Sequence, residues 1–193
     1  FRTIFLYPYA MSFVVTGLVW KWVLNPTFGL ENSMHMWGFA WFELDWLVNR
    51  DLAIYAVCIA AVWQGAGFVM VLMLAGLRGI DEDIWKSLSI EGVAKWKSYI
   101  FVILPMLRPM VVTAIVLIAA GVVKVYDLIL TLTSGGPGYA TTTPALYVME
   151  NFFKRADLGQ AFAASIIMFI SVVCILAPWA FYEFYLRNKY AAN

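Results

Sequence analysis

Charge is scarce in this chain, and so are cysteine and histidine. Only 13% of its 193 residues are Asp, Glu, Lys or Arg, while 63% are hydrophobic. Soluble domains carry about 25% charged residues. A water-soluble fold of this size has too little polar surface to cover so many apolar side chains. Lipid is therefore the expected solvent, and the class is polytopic membrane protein. Cys58 and Cys174 both lie inside apolar runs and read as small buried hydrophobes, which excludes a disulfide framework. The one histidine, His35, falls in a loop, so no His/Cys cluster with metal-ligand spacing exists. No G-x-x-x-x-G-K-[ST] run occurs; Ser134-Gly135-Gly136-Pro137-Gly138 reads as a turn, not a phosphate cradle. ATP, if it is used, is handled by another chain. No clustered nucleophile and base is visible either, which removes the basis for a membrane-embedded enzyme. The net charge of +1 gives no reason to expect nucleic acid. The chain opens at Phe1 with neither methionine nor a signal-peptide pattern, and its N-terminal part is expected to be missing.

What is present is long apolar runs. A helix needs about 20 apolar residues to cross the hydrocarbon core. Four stretches qualify: Ile4 to Leu24, Leu52 to Leu77, Met110 to Leu132 and Ala161 to Phe184. Pro8 lies near the start of the first, and Pro178 is expected to kink the last. Strict apolar/polar alternation is absent, which argues against a transmembrane barrel. The expected fold class is all-α, a polytopic transmembrane helical bundle forming a single domain over residues 1–193. One set of flanks carries eight cations, Arg2, Arg78, Lys86, Lys95, Lys97, Arg108, Arg187 and Lys189. The other carries four, Lys21, Arg50, Lys154 and Arg155, and Lys124 lies within a span. The positive-inside bias then places both ends of the chain and the insert 78–109 in the cytosol. Loops 25–51 and 133–160 face outside. The first has turn signals at Asn25-Pro26 and Gly29, and its Trp37, Trp41 and Trp46 read as an interfacial lid rather than a carbohydrate-stacking platform.

The insert is the polar exception. Asp81-Glu82-Asp83 suits the start of a helix, where carboxylates meet the positive end of the dipole. Ile84, Trp85, Leu88 and Val93 supply an apolar stripe, and Gly92 permits a sharp corner. Trp96, Tyr99 and Ile100 begin a second short helix, which Leu104-Pro105 and Arg108-Pro109 end. The product is a helix-turn-helix whose apolar face needs a partner groove.

This stretch resembles the EAA motif of permease subunits of binding-protein-dependent ABC importers, EAA-x2-DGA-x5-F-x2-I-x-LP. Lys86-Ser87-Leu88, Glu91-Gly92-Val93, Tyr99, Val102, Leu104 and Pro105 fall at the motif's spacing throughout. Gly92, Leu104 and Pro105 are identical to it; Lys86 departs from it, reversing the charge of the family's glutamate. FRTIFLYPYAMSFVVTGLVWKWVLNP, LAGLRGIDEDIWK and YDLILTLTSGGPGYATTTPALYVMENFF also look like segments of the sugar-permease subfamily. Within it, permeases for glucose-type monosaccharides and α-glucosides are the nearest in character. The resemblance implies about six spans in the full subunit, of which this chain holds the third to the sixth. It also implies an ATPase-coupling role for the motif positions and the adjoining Trp96. The implied partners are a dimer of cytosolic ATPases carrying ATP and Mg, a second, related permease subunit and an external sugar-binding protein. The chain itself would bind no cofactor and catalyse nothing.

Polar groups within the spans mark a candidate sugar path, because such groups are costly in lipid and usually face a cavity. Gln64 sits mid-span. Lys124 and Asp127 lie three residues apart, on one face of a continuous helix. Trp63 and Tyr126 flank them and could stack on a sugar ring, and Gly65 and Gly67 allow close backbone approach. The alternative is structural: Lys124 and Asp127 neutralise each other, and Gln64 makes an interhelical hydrogen bond. Asn151, Lys154 and Arg155 are candidate contacts for the binding protein. Two rivals remain, a permease of the same superfamily for an amino acid, polyamine or phosphate ester, and a secondary transporter using Lys124 and Asp127 as a proton relay.

Overall fold

A computed structural model describes residues 2–191 apart from Ala40, Phe42, Leu44 and Val93, with side chains described for residues 3–181. Val93 and the side chains of Arg2, Arg187 and Lys189, used above, lie outside the described residues. The regular elements described are all helical. In chain order they are α1 (Arg2–Ala10), α2 (Phe13–Val23), α3 (Leu30–Met36), a 3-10 turn (Asp45–Leu47), α4 (Ala53–Arg78) and α5 (Glu82–Ile90). Then follow α6 (Lys95–Ser98), a π-helical turn (Tyr99–Ile103), α7 (Leu104–Met106), α8 (Arg108–Val123) and α9 (Asp127–Leu132). Finally come α10 (Pro144–Met149), a second π-helical turn (Glu150–Lys154) and α11 (Leu158–Ala191).

Two helices are long and apolar enough to cross a membrane unbroken: α4, with 26 residues, and the Leu158–Phe181 part of α11, with 24. At 1.5 Å per residue each exceeds the roughly 30 Å hydrocarbon core. Two bent pairs could serve as further spans, Thr3–Ala10 with Phe13–Val23 at 106° and Lys95–Met106 with Arg108–Val123 at 64°. The outward faces are apolar, with Phe162, Ile166, Ile167 and Phe169 of α11 all more than half exposed. In a bilayer that is the low-energy arrangement.

The first expected span, Ile4 to Leu24, is not one rod. It breaks at Met11-Ser12, and the physical reason is local. Pro8 removes a helical donor, and Ser12 starts a new helix as its N-cap: its backbone is extended (φ −70°, ψ 151°) and its Oγ accepts from the Val15 N–H at 3.3 Å. The third expected span, Met110 to Leu132, is interrupted too, because α8 ends at Val123 and α9 begins at Asp127. Pro178, by contrast, sits inside α11, which continues through it. Cys58 and Cys174 are exposed on the protein surface, not buried as expected. They lie on apolar faces that the bundle itself does not cover.

Each break frees backbone carbonyls that lipid cannot satisfy. A side chain from a distant element supplies the missing donor in both places. Gln64 Nε2 of α4 donates to Met11 O at 2.7 Å, and Thr143 Oγ, the N-cap of α10, donates to Val125 O at 2.8 Å. Small residues bring the helices close enough for this. A Cβ on Gly17 of α2 would fall on Thr131 Oγ1 of α9, and one on Gly67 of α4 would fall on the Phe5 carbonyl of α1. Around these contacts Ala56, Val57 and Ala60 of α4, Leu128, Ile129 and Leu132 of α9 and Leu146 of α10 form the buried core. Gly17→Leu is expected to destabilise the bundle by about 1–3 kcal/mol through overpacking. The lowered thermal unfolding midpoint in detergent reads it, and Gly121→Leu, with open space at its Cβ, should shift that midpoint far less.

Candidate functional site

The insert folds as a corner. Asp81 caps α5, its Oδ1 accepting from the Asp83 N–H at 3.0 Å. Lys86 Nζ lies 3.0 Å from Asp83 Oδ1 and 4.0 Å from Glu82 Oε2. These side chains are largely exposed, so the pairs contribute at most about 0.5 kcal/mol each. Ser87 Oγ and Ser89 Oγ donate back to the carbonyls of Ile84 and Trp85. The chain turns at Gly92, whose φ of +65° is a left-handed conformation. No atom crowds a Cβ there, so backbone conformation, not space, selects glycine.

The apolar stripe lies differently from the sequence expectation. Ile84, Trp85 and Leu88 are half-buried, and Trp85 meets the Tyr99 ring edge-on at 5.6 Å. Trp85 thus turns back onto the returning segment, and the stripe does not face outward whole. Among the described residues of the corner, the apolar side chains left exposed are Ile90 at 86% and Trp96 at 59%. Ile90 was missed, although an isoleucine beside a helix-stopping glycine is a legible signal. Tyr99 and Leu104 are about half exposed, Val102 and Pro105 are half-buried, and Ser87 and Glu91 are exposed. Ile103 and Leu107 anchor the return in the core.

The candidate path residues separate. Trp63 packs edge-on against Trp20 at 5.9 Å and, with Cys58, Ile59 and Val62, lines an open groove of about 370 Å³. Its neighbour Gln64 points elsewhere and is buried, its amide committed to Met11 O while its Oε1 has no partner. Lys124 caps the C-terminus of α8 and Asp127 opens α9, so the break lies between them and they share no helical face, contrary to the expectation above. Both are exposed, and they form no ion pair with each other; the pairs among the described residues are those of Lys86 and Lys154–Glu150. Tyr126 is half-buried against the α4–α9 core.

Loops 25–51 and 133–160 correct two further expectations. Trp37 and Trp41 are exposed, but Trp46 packs against Leu24 and Ala56. Asn151 is buried, its Nδ2 donating to Tyr147 O at 2.9 Å, so it presents nothing to an external protein. Sequence reasoning also missed Thr143, although Thr-Pro is a strong helix-start signal. Beside it a second groove of about 440 Å³ runs between α10 and α11, lined by Thr142, Tyr147 and Ser171 among apolar residues.

The fold matches a crystal structure of a bacterial ABC transporter involved in the import of the acidic polysaccharide alginate, with a TM-score of 0.80 and 21% identity over 97% of this chain and 64% of that one. Among curated proteins, the trehalose/maltose transport system permease protein of Thermococcus litoralis is 32% identical over 89% of this chain. A probable ABC transporter permease protein of Pyrococcus horikoshii is 29% identical over 95% of the chain, and the xylose/arabinose import permease protein of Haloferax volcanii is 28% identical over the same share. The chain spans 58–63% of the length of these relatives. The family described as the binding-protein-dependent transport system inner membrane component matches residues 1–187. By that match, across nearly its whole length, the chain belongs to the inner membrane components of binding-protein-dependent transport systems.

Proposed function

We propose that this chain is the permease part of an ATP-driven importer and forms, with a second permease subunit, the membrane path for a sugar delivered by an external binding protein. The observation that carries the reading is the corner at Gly92, a left-handed turn at the motif position within a family-matched chain. The sugar assignment draws on relatives named for trehalose/maltose, xylose/arabinose and sulfoquinovosyl glycerol transport. The eight-to-four division of cations supports a cytosolic corner and cytosolic chain ends.

In this mechanism two cytosolic ATPases bind ATP and Mg and close. Ser87, Leu88, Glu91, Gly92, Trp96, Tyr99, Leu104 and Pro105 belong to the element that follows their movement. That element is stiff where it must transmit force: the Trp85–Tyr99 contact and the buried Ile103 and Leu107 tie the corner to α8. Closure rocks the permease pair outward-open, sugar enters the path, and hydrolysis resets the pair. Trp63 and Tyr126 offer ring faces to the sugar. Lys124 and Asp127, free of each other, offer a cation and an anion at the helix break, and Gln64 holds the α1–α2 corner beside the path.

The test is a pull-down of the full-length protein with its natural partners, followed by sugar uptake in proteoliposomes. A co-purifying ATPase and ATP-dependent uptake are expected. Uptake driven by a proton gradient alone, with no ATPase present, would instead favour Lys124 and Asp127 as a proton relay.

A further inference from the structure

Among the described residues, four buried side-chain polar atoms have no hydrogen-bond partner within the protein: Thr16 Oγ1, Trp20 Nε1, Gln64 Oε1 and Asn151 Oδ1. Asn151 stands apart in the second π-helical turn, and the other three belong to α2 and α4. Thr16 is 0% and Gln64 3% exposed. Two contacts set the register of these helices. Gln64 Nε2 reaches Met11 O just before α2 begins, and Trp20 meets Trp63 and packs against Val57, Ala60 and Ala56. Hence α2 runs antiparallel to α4, from Gln64 back toward Ala56. Thr16 lies one turn before Trp20 on the same helical face, so it falls between the two contacts, opposite the turn from Ala60 to Gln64.

We propose that Thr16, Trp20 and Gln64 form a buried site for one water molecule between α2 and α4. The three atoms have complementary capacities and do not bond each other. The indole N–H only donates, the amide oxygen only accepts, and the hydroxyl does either. Met11 O only accepts, which fixes the amide so that Oε1 is the end left unmet. One water accepts from Trp20 Nε1, donates to Gln64 Oε1 and shares a third bond with Thr16 Oγ1, the usual number for a buried water. Lipid tails offer neither donor nor acceptor, so a polar group buried in a span must be met from inside the bundle. Ala60, in the turn of α4 opposite Thr16, carries only a methyl group and so crowds this face least. Burial this complete admits a water but not a sugar ring. The site adjoins the 106° break, and the water would complete the bonding of the residue that holds the α1–α2 corner. It does not depend on what the chain transports.

The experiment is cryo-electron microscopy of the intact transporter in nanodiscs, at a resolution that shows ordered waters elsewhere in the map. It is joined to thermal unfolding midpoints for Thr16→Val, Trp20→Phe and the double variant. Density for one water is expected about 2.7–3.2 Å from Trp20 Nε1, Gln64 Oε1 and Thr16 Oγ1. Thr16→Val, which keeps the side-chain volume, should weaken or erase that density. Each single variant should lower the midpoint by about 2–4 °C. The double variant should lower it by less than the sum, because both substitutions disrupt the same water. A map with no density between the three atoms overturns the proposal whatever the midpoints show. So does a map in which Thr16 bonds Trp20 or Gln64 directly. Density that appears only with sugar and exceeds one water would assign the three atoms to the sugar path instead, and strictly additive midpoints would mean that they share no ligand; either result sinks the site.

Discussion

Gly92→Pro should lower ATP hydrolysis stimulated by the binding protein by about 10- to 100-fold, the span of a typical coupling free energy. Proline locks φ near −65°, and the corner needs +65°. The chain cannot turn there, so the return from α5 to α6 is lost. The control is Gly92→Asn. Asparagine visits the left-handed region at small cost, and a Cβ at this position meets open space, so most of the coupling should survive. A serious loss in the asparagine variant would mean that the glycine is needed for close approach by a partner and not for its dihedral angle. Membrane insertion of α4 and α11 should be unchanged in both, as each is apolar enough to insert independently of the corner.

Gln64→Leu should cost about 1–3 kcal/mol of stability, the desolvation penalty of a buried acceptor left without a donor. The acceptor is Met11 O at the 106° break between α1 and α2, and lipid offers no replacement for the 2.7 Å bond. Hydrogen exchange at the start of α2 should rise locally while the far end of α4 stays protected. Sugar uptake separates structure from path. If the stability loss accounts for the whole drop in uptake, Gln64 is a clamp; if the sugar KM also shifts in a variant of restored stability, it touches the substrate.

Much of this was legible in the chain because its causes are local. The Gly92 corner, the Asp81 cap and the apolar lengths of α4 and α11 all follow from residues within a few positions of each other. The break at Met11-Ser12 had local signals as well, in Pro8 and the capping serine, but the apolar run across them reads as one span when hydropathy alone is followed. The break at Lys124–Tyr126 was harder. Its residues suit a helix, and the Thr143 hydroxyl that donates to the freed Val125 carbonyl comes from 18 residues away.

The sequence by itself determined the lipid solvent, the helical class and the polar corner, because composition and short-range pattern settle each of them. The tertiary structure alone decided which distant side chain seals each break, that Trp85 turns inward onto Tyr99 to leave Ile90 and Trp96 exposed, and that Lys124 and Asp127 stand apart. A freed carbonyl or an apolar face must find a partner in space, and nothing in local periodicity names that partner.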